Sequence, residues 1–291
     1  MPAAPPVPAP SPPDAPPPRR LTDRAQLDRA RARARRQGLA TPILDVAAAE
    51  LQDRLGEVNR SFTDIALVSG FPDYWARVFP AARQVADGER LDLAPGSCDL
   101  VIHALALHWA DDPVGQIIQC ARALRPDGLF LAVLPGGESL RGLAEAMAAA
   151  QIESTGGLSP HVLPMGEIRD LGGLLGRAGL ALPVADAVPL TLSYRDMLHL
   201  GRDLRAMGEG NAMADRLRRP LPRRVIARAA ALYAAANTDP GDPARVLARI
   251  DLIFLAGWAP HVSQPRALRP GSARMSLADA LSPTRSPEGQ P

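Results

Sequence analysis

Lysine is absent from the 291-residue chain; all 33 basic side chains are arginine. That excludes a Schiff-base lysine and the lysine of a phosphate-binding P-loop. Cysteine is nearly absent too. Cys98 and Cys120 have no metal-ligand spacing and cannot form a disulfide framework, which predicts a reducing, cytoplasmic setting. Aromatic residues make up 4% of a chain that is 46% hydrophobic, so its core must be built from Leu, Val, Ile and Ala. No apolar run approaches the ~20 residues needed to cross a bilayer. The N-terminus lacks the apolar centre of a signal peptide. A net charge of +2 gives little general pull toward nucleic acid or membrane. No repeat of fixed period is visible, and no metal site is expected.

Cys98 to Leu134 carries the clearest organisation. DLVIHAL is apolar on both faces, as a strand covered on both sides must be. Asp111, Asp112 and Pro113 form a helix start, and Val114, Ile117, Ile118, Ala121 and Leu124 keep helical spacing. Pro126-Asp127-Gly128 stops that helix, and LFLAVL is a second two-sided strand. A helix between two such strands is a parallel crossover unit.

The rest of the chain extends this pattern. Residues 1–18 are almost wholly Pro and Ala and read as a disordered tail. A basic helix follows from Arg19 to Gln37, with eight arginines against Asp23 and Asp28. It is either a solvated face or a surface for an acidic partner such as a carrier protein or a phosphate. A helix from Pro42 to about Val58 places Ile43, Val46, Leu51, Leu55 and Val58 on one side. Phe62 to Ser69 is a strand ending at Gly70. Further helices are expected over Glu138–Gln151, Met165–Gly179, Arg195–Met207 and Arg223–Asn237. ALPVADAVPLTLSY gives two short strands, or one bent at Pro189, and Arg249–Trp258 gives a late strand. The whole predicts a doubly wound, mostly parallel α/β sheet over residues 19–264, with a helical flank before it and a loosely ordered tail over 265–291.

The succession DLV, LHW with acids, then LRPDG before a strand resembles the second half of a class I S-adenosylmethionine (SAM) methyltransferase of type 11. LTDRAQLDRARARA, GGESLRGLAEAM, GGLSPHVLP, LRAMGEGNA and AGWAPHVSQPRALRPGSA resemble one subgroup of it. That subgroup holds the respiratory complex I assembly factors of methyltransferase fold and lies near the biotin-pathway enzymes that methylate malonyl-carrier protein. The resemblance implies a Rossmann-like sheet with a late antiparallel strand, SAM as cofactor, and a protein or carrier-protein substrate. Some assembly members are reported as hydroxylases of a protein arginine. On the family pattern, Gly70 makes the turn after the first strand and Asp87, followed by Gly88, meets the adenine amine. Ala104 and Leu105 contact the cofactor through their backbone.

The first half departs from that pattern. Backbone approach to the cofactor needs an acid and a glycine-rich turn after the first strand. Here the segment is ALVSGFPDYW: Val68 replaces the acid, Phe71, Pro72 and Asp73 replace the glycines, and Pro72 removes an amide donor. Two helices and two strands belong between Gly70 and Asp87. At ~11 residues per helix and ~5 per strand they need more than ~30 residues, and sixteen are present. A strand-helix unit is therefore missing, with the acid that holds the ribose, while the adenine side is expected to survive.

His108 and Trp109, after the fourth expected strand, are either a polar and aromatic pair lining the active cleft or a packing pair. His108 is the candidate catalytic residue. His103, within the strand, reads as a satisfied core histidine. Gly136 and Gly137 sit in a substrate-side loop or a plain connection, without either nucleotide-loop pattern. Glu209 and Asn211 are candidate substrate contacts. Ser159, His161 and Asp170 lack the elbow a serine hydrolase needs. The function expected is that of a SAM-dependent methyltransferase-like protein with impaired cofactor binding. The alternatives are a non-catalytic assembly or interaction protein and an arginine-hydroxylase-type assembly factor.

Overall fold

The computed structural model describes residues 20–265. The tail over 1–18, Arg19, and all of 265–291 but Pro265 lie outside the described residues. Residues 20–260 form one compact unit, and the chain from His261 belongs to another.

Two helices open the fold, α1 (Arg24–Gln37) and α2 (Pro42–Glu57). Then come β1 (Ile65–Ser69), α3 (Pro72–Val78), β2 (Arg83–Ala86), β3 (Cys98–Ala104), a 3-10 turn over Leu107–Trp109, α4 (Pro113–Ala123) and β4 (Leu124–Gly136). The second half adds α5 (Arg141–Thr155), α6 (Ile168–Arg177), β5 (Ala181–Tyr194), α7 (Met197–Ala206), α8 (Arg223–Ala236), β6 (Thr238–Asp239) and β7 (Asp242–Trp258). The strands make one seven-stranded sheet in the order β2-β1-β3-β4-β7-β5, with β6 on β7. β1 to β4 are parallel, and β7 is inserted antiparallel between β4 and β5.

Between Gly70 and Asp87 stand one helix and one strand, α3 and β2, where two of each were expected. β1 pairs directly with β2 through Ala66↔Arg83 to Ser69↔Ala86, so the shortened connection leaves β2 as the sheet's edge. α3 is held to seven residues between Pro72 in its first turn and Pro80, which follows its C-cap Phe79. The α4 start is as the sequence predicts: Asp112 accepts from the Gly115 N–H at 2.8 Å, and Pro113 occupies the first turn. β5 is a single strand. Its irregularity lies between Ala181 and Val184, not at Pro189, which an edge strand tolerates.

Alternation along the strands fills two apolar layers. Ala66, Val68 and Val101 pack with Ile117 and Cys120 of α4 and Leu175 of α6. Leu67, Leu100 and Ile102 pack on the other face with Leu44 and Leu51 of α2 and Trp75 of α3. The far halves of β5 and β7 run past the sheet body and carry a third cluster, where Tyr194 and Val246 meet Met147 of α5, Leu200 of α7 and Tyr233 of α8. α1 sits apart from these layers. Its Leu27 packs with Trp109, Leu163 and Met213, at the carboxyl ends of the strands.

Candidate functional site

The inward face of α1 is Leu27, Ala30, Arg31 and Ala34. It thus delivers one guanidinium into the cleft between the ends of β1 and β3. Arg31 is 2% exposed and Asp87, just beyond β2, is 3% exposed. Arg31 Nη1 donates to both carboxylate oxygens of Asp87, at 2.8 and 3.0 Å. Arg24, two turns earlier on α1, donates to Asp87 Oδ1 at 2.6 Å and to its backbone carbonyl at 2.7 Å. Burial by itself would raise the Asp87 carboxyl. The Arg31 charge, with hydrogen bonds and charge from Arg24, overcomes that and holds it below the usual carboxylate range.

The rest of this loop is also engaged. Gln116 of α4 donates to the Gly88 carbonyl at 2.9 Å. Gln119 donates to the Glu89 carbonyl at 3.0 Å and accepts from the Leu91 N–H at 2.9 Å. Gln116 Oε1 meets His103 Nε2 at 2.9 Å. Because the Gln116 amide nitrogen already donates to Gly88, His103 must donate here, which fixes its tautomer. Its Nδ1 is buried without a partner, so His103 is only half satisfied.

These residues do not fit SAM as they stand. A Cβ placed on Gly70 would lie 2.3 Å from Arg31 Cζ and 2.6 Å from Nε, so the guanidinium lies flat against Gly70. The glycine that the family pattern gives to the cofactor serves Arg31 instead, and Asp87 has no free oxygen for an adenine amine. Asp87, which the family pattern gives to the adenine amine, is bonded instead to Arg31 and Arg24 of the neighbouring helix. Gly70→Ala should accordingly lower stability by ~1–3 kcal/mol, as overpacking does. A shift of the urea midpoint at unchanged slope would show it, and an unchanged midpoint would refute it.

Next to this cleft is an open cavity of about 250 Å³ at the ends of β3 and β4. Leu105, Leu140, Leu143, Leu163, Met207 and Met213 give it apolar walls, and His108, Trp109, Glu209 and Asn211 face it. It thus gathers four of the sequence-predicted site residues together with Leu105. Glu209 Oε2 accepts from Trp109 Nε1 at 2.7 Å and from His108 Nε2 at 3.2 Å. Burial pushes the Glu209 carboxyl up, but the His108 charge and hydrogen bond, the Arg31 charge and the Trp109 N–H bring it below its ordinary value. His108 Nε2 is engaged by Glu209, and its Nδ1 is buried without a partner. Asn211 works on the walls, donating to the Pro160 carbonyl at 2.8 Å and accepting from the Met213 N–H at 3.1 Å.

Gly136 and Gly137 are packing positions. A Cβ on Gly136 would come within 2.6 Å of Ile253, and Gly137 has φ +54° with Asp251 Oδ2 2.8 Å from its Cβ position. Ala104 is buried at the end of β3, and Gly88 is held through its carbonyl. Among the described residues, no three or more His, Cys, Asp or Glu side chains gather as a metal site. The sequence reading missed Arg24, Arg31, Gln116 and Gln119. The available signal was an arginine in line with Leu27, Ala30 and Ala34 on an otherwise apolar stripe.

Residues 51–132 match the model of a methyltransferase domain. The arginine-hydroxylase NDUFAF5, mitochondrial, of Danio rerio is 37% identical over 202 residues, which are 69% of this chain and 61% of that protein. The malonyl-[acyl-carrier protein] O-methyltransferase of Laribacter hongkongensis is 33% identical over 186 residues, 64% of this chain and 59% of that one. The chain therefore spans about six-tenths of the length of these curated relatives. Among solved structures, a phosphoethanolamine N-methyltransferase 2 of Haemonchus contortus in complex with S-adenosyl-L-methionine aligns at 12% identity and a TM-score of 0.39, covering 74% of this chain and 52% of that one. By its antiparallel β7 inside a parallel sheet and by these sequence matches, the chain belongs to the class I SAM methyltransferase family, in the branch that resembles complex I assembly factors and malonyl-carrier-protein methyltransferases.

Proposed function

We propose that this protein is a partner-binding member of the family, an assembly or interaction protein of methyltransferase fold that does not transfer a methyl group from SAM. One observation carries this reading: the Arg31 guanidinium, fixed on Asp87 and flat against Gly70, stands in the cofactor cleft. Methyl transfer depends on aligning a bound sulfonium with its acceptor, so without the cofactor there is nothing to align. His108, the one candidate base, has neither ring nitrogen open to the cavity, which also argues against acid-base work. The relatives' names supply the class of partner, a protein substrate or an acyl-carrier protein. Two free, buried cysteines support a reducing compartment such as the cytoplasm. No helix among the described residues is long and apolar enough to cross a membrane.

Titration calorimetry with SAM and with S-adenosylhomocysteine tests the reading. No heat of binding is expected up to millimolar ligand. Micromolar binding of either compound would remove it and restore a methyltransferase acting on a protein or carrier-protein group.

A further inference from the structure

We propose that the outward face of α1, together with the end of α7, is a docking surface for an acidic helix of a partner protein. This rests on the partner-binding reading above and adds where the partner sits and what it presents. Arg29, Arg33 and Arg36 follow i, i+4, i+7 spacing, which puts them on one stripe of α1 opposite its packed face. Arg205 of α7 lines the cavity. Arg29, Arg36 and Arg205 are exposed, and Arg33 is half-buried.

The stripe runs beside the cavity mouth. α1 lies antiparallel to residues 206–214, the segment that contributes Met207, Glu209, Asn211 and Met213 to the cavity. The Ala40 N–H donates to the Ala206 carbonyl at 3.1 Å at one end, and the Ala214 N–H donates to the Leu21 carbonyl at 2.8 Å at the other. Between them, Arg33 Nη2 lies 3.9 Å from the Cβ position of Gly210, which also lines the cavity.

Charge decides the occupant. Arg24, Arg54, Arg60, Arg125, Arg141, Arg216, Arg228 and Arg249 all have a carboxylate partner. No such pair among the described residues involves Arg29, Arg33, Arg36 or Arg205. Other arginines, Arg122, Arg169 and Arg177 among them, also lack such a pair, but Arg29, Arg33 and Arg36 share one helix stripe, and Arg205 adds a fourth charge at the lining of the apolar cavity. From Arg29 to Arg36 the stripe is about 10 Å long, two helical turns, and carboxylates at the same spacing on a partner helix would meet it in register. A membrane surface fits less well. An interfacial helix lays an apolar face into the lipid, and the apolar face of α1 is already packed inside. A nucleic acid fits less well because the neighbouring opening is apolar and carries the Glu209 carboxylate.

Fluorescence anisotropy tests the proposal with two synthetic 20-residue helical peptides, one with a Glu stripe at i, i+4, i+7 and one with Lys at those positions. The full chain should bind the Glu peptide and not the Lys peptide, more weakly as salt rises. Arg29→Glu/Arg33→Glu/Arg36→Glu should weaken Glu-peptide binding by about tenfold or more. Arg122→Glu/Arg169→Glu/Arg177→Glu, the same charge change on α4 and α6, should leave it within about twofold, with circular dichroism confirming that both variants are folded. The proposal is overturned if the wild-type chain ignores the Glu peptide, or if the control triple loses as much. Capture of phosphatidylglycerol vesicles through the α1 arginines without peptide binding would also overturn it and assign the face to lipid. SAM binding with the peptide result intact would remove the function proposed above and leave this surface standing.

Discussion

Arg31→Ala should cost the fold about 3–5 kcal/mol, the usual result of breaking a buried ion pair from one side. For a domain of this size that lowers the melting temperature by roughly 10 °C. The cost arises at Asp87. At 3% exposure it cannot be solvated once Arg31 is gone. Arg24 also reaches both carboxylate oxygens, but its side chain is 41% exposed and its charge is screened by solvent. Arg31→Lys should recover little, because an ammonium cannot lie flat against Gly70. Arg31→Met with Asp87→Leu should recover most of the loss, since apolar replacement of both partners removes the unpaired charge. Acid should expose the same pair. The folded Asp87 carboxyl lies below its ordinary 3.8, so its contribution is complete above that value and disappears as pH falls through the lower folded one. The double variant should lack the Asp87 share of that limb. Urea titrations at pH 7 and pH 3 measure all of this, and a loss below about 1 kcal/mol for Arg31→Ala would mean that the pair holds nothing in place.

A second large effect is expected at His103, at higher pH. This side chain is fully buried, and burial, countered by the Gln116 hydrogen bond, pushes its pKa down from 6.5 to about 4. The unfolded chain therefore binds a proton between pH 6.5 and 4 that the native fold refuses. A depressed folded value means that the stability is complete above the unfolded value and falls as pH drops through this window. At 1.36 kcal/mol per pH unit the loss comes to about 3 kcal/mol. His103→Gln, which can still hydrogen-bond to Gln116, should remove most of the slope from pH 6.5 to pH 4 while leaving the acid limb to which Asp87, Glu209 and the other lowered carboxylates contribute. Melting temperatures across that range decide it: a wild-type profile flat down to pH 4.5 would show that His103 charges freely in the native fold.

The β3-α4-β4 unit was legible because each of its signals is local. Two apolar strands, an Asp-Pro start and a Pro-Asp-Gly stop lie within one stretch of sequence, and no distant residue alters their meaning. The missing strand-helix unit was legible by length alone. Asp87 was a different case. Its surroundings suggested an adenine contact, while its bonding partner Arg31 stands 56 positions earlier, on a helix whose charge pattern suits a solvated face and a partner surface alike. A basic helix displays its arginines in sequence and does not show which of them turns inward. Gly136 and Gly137 stayed open for a related reason: a glycine pair after a strand suits a ligand loop and close packing equally, and the nearness of Ile253 and Asp251 is not written in the local sequence.

The walls of the open cavity differ in stiffness. Leu105 and Leu140 both adopt left-handed backbone, at φ 46° and 56°, the first directly after β3 and the second just before α5. Such a conformation costs a leucine about 1–2 kcal/mol. Each is pinned by its own N–H, Leu105 to the Val133 carbonyl at 2.9 Å and Leu140 to the Arg249 carbonyl at 2.8 Å. Moving either leucine aside would release a main-chain hydrogen bond to a strand, so this half of the cavity behaves as a fixed mould. The opposite half consists of His161 to Leu163 and Met207 to Met213, joined across by the Asn211–Pro160 hydrogen bond and by Leu163 packed with Met213. The two leucines therefore set the shape a ligand must match, and any adjustment to it falls to the side held by side-chain contacts.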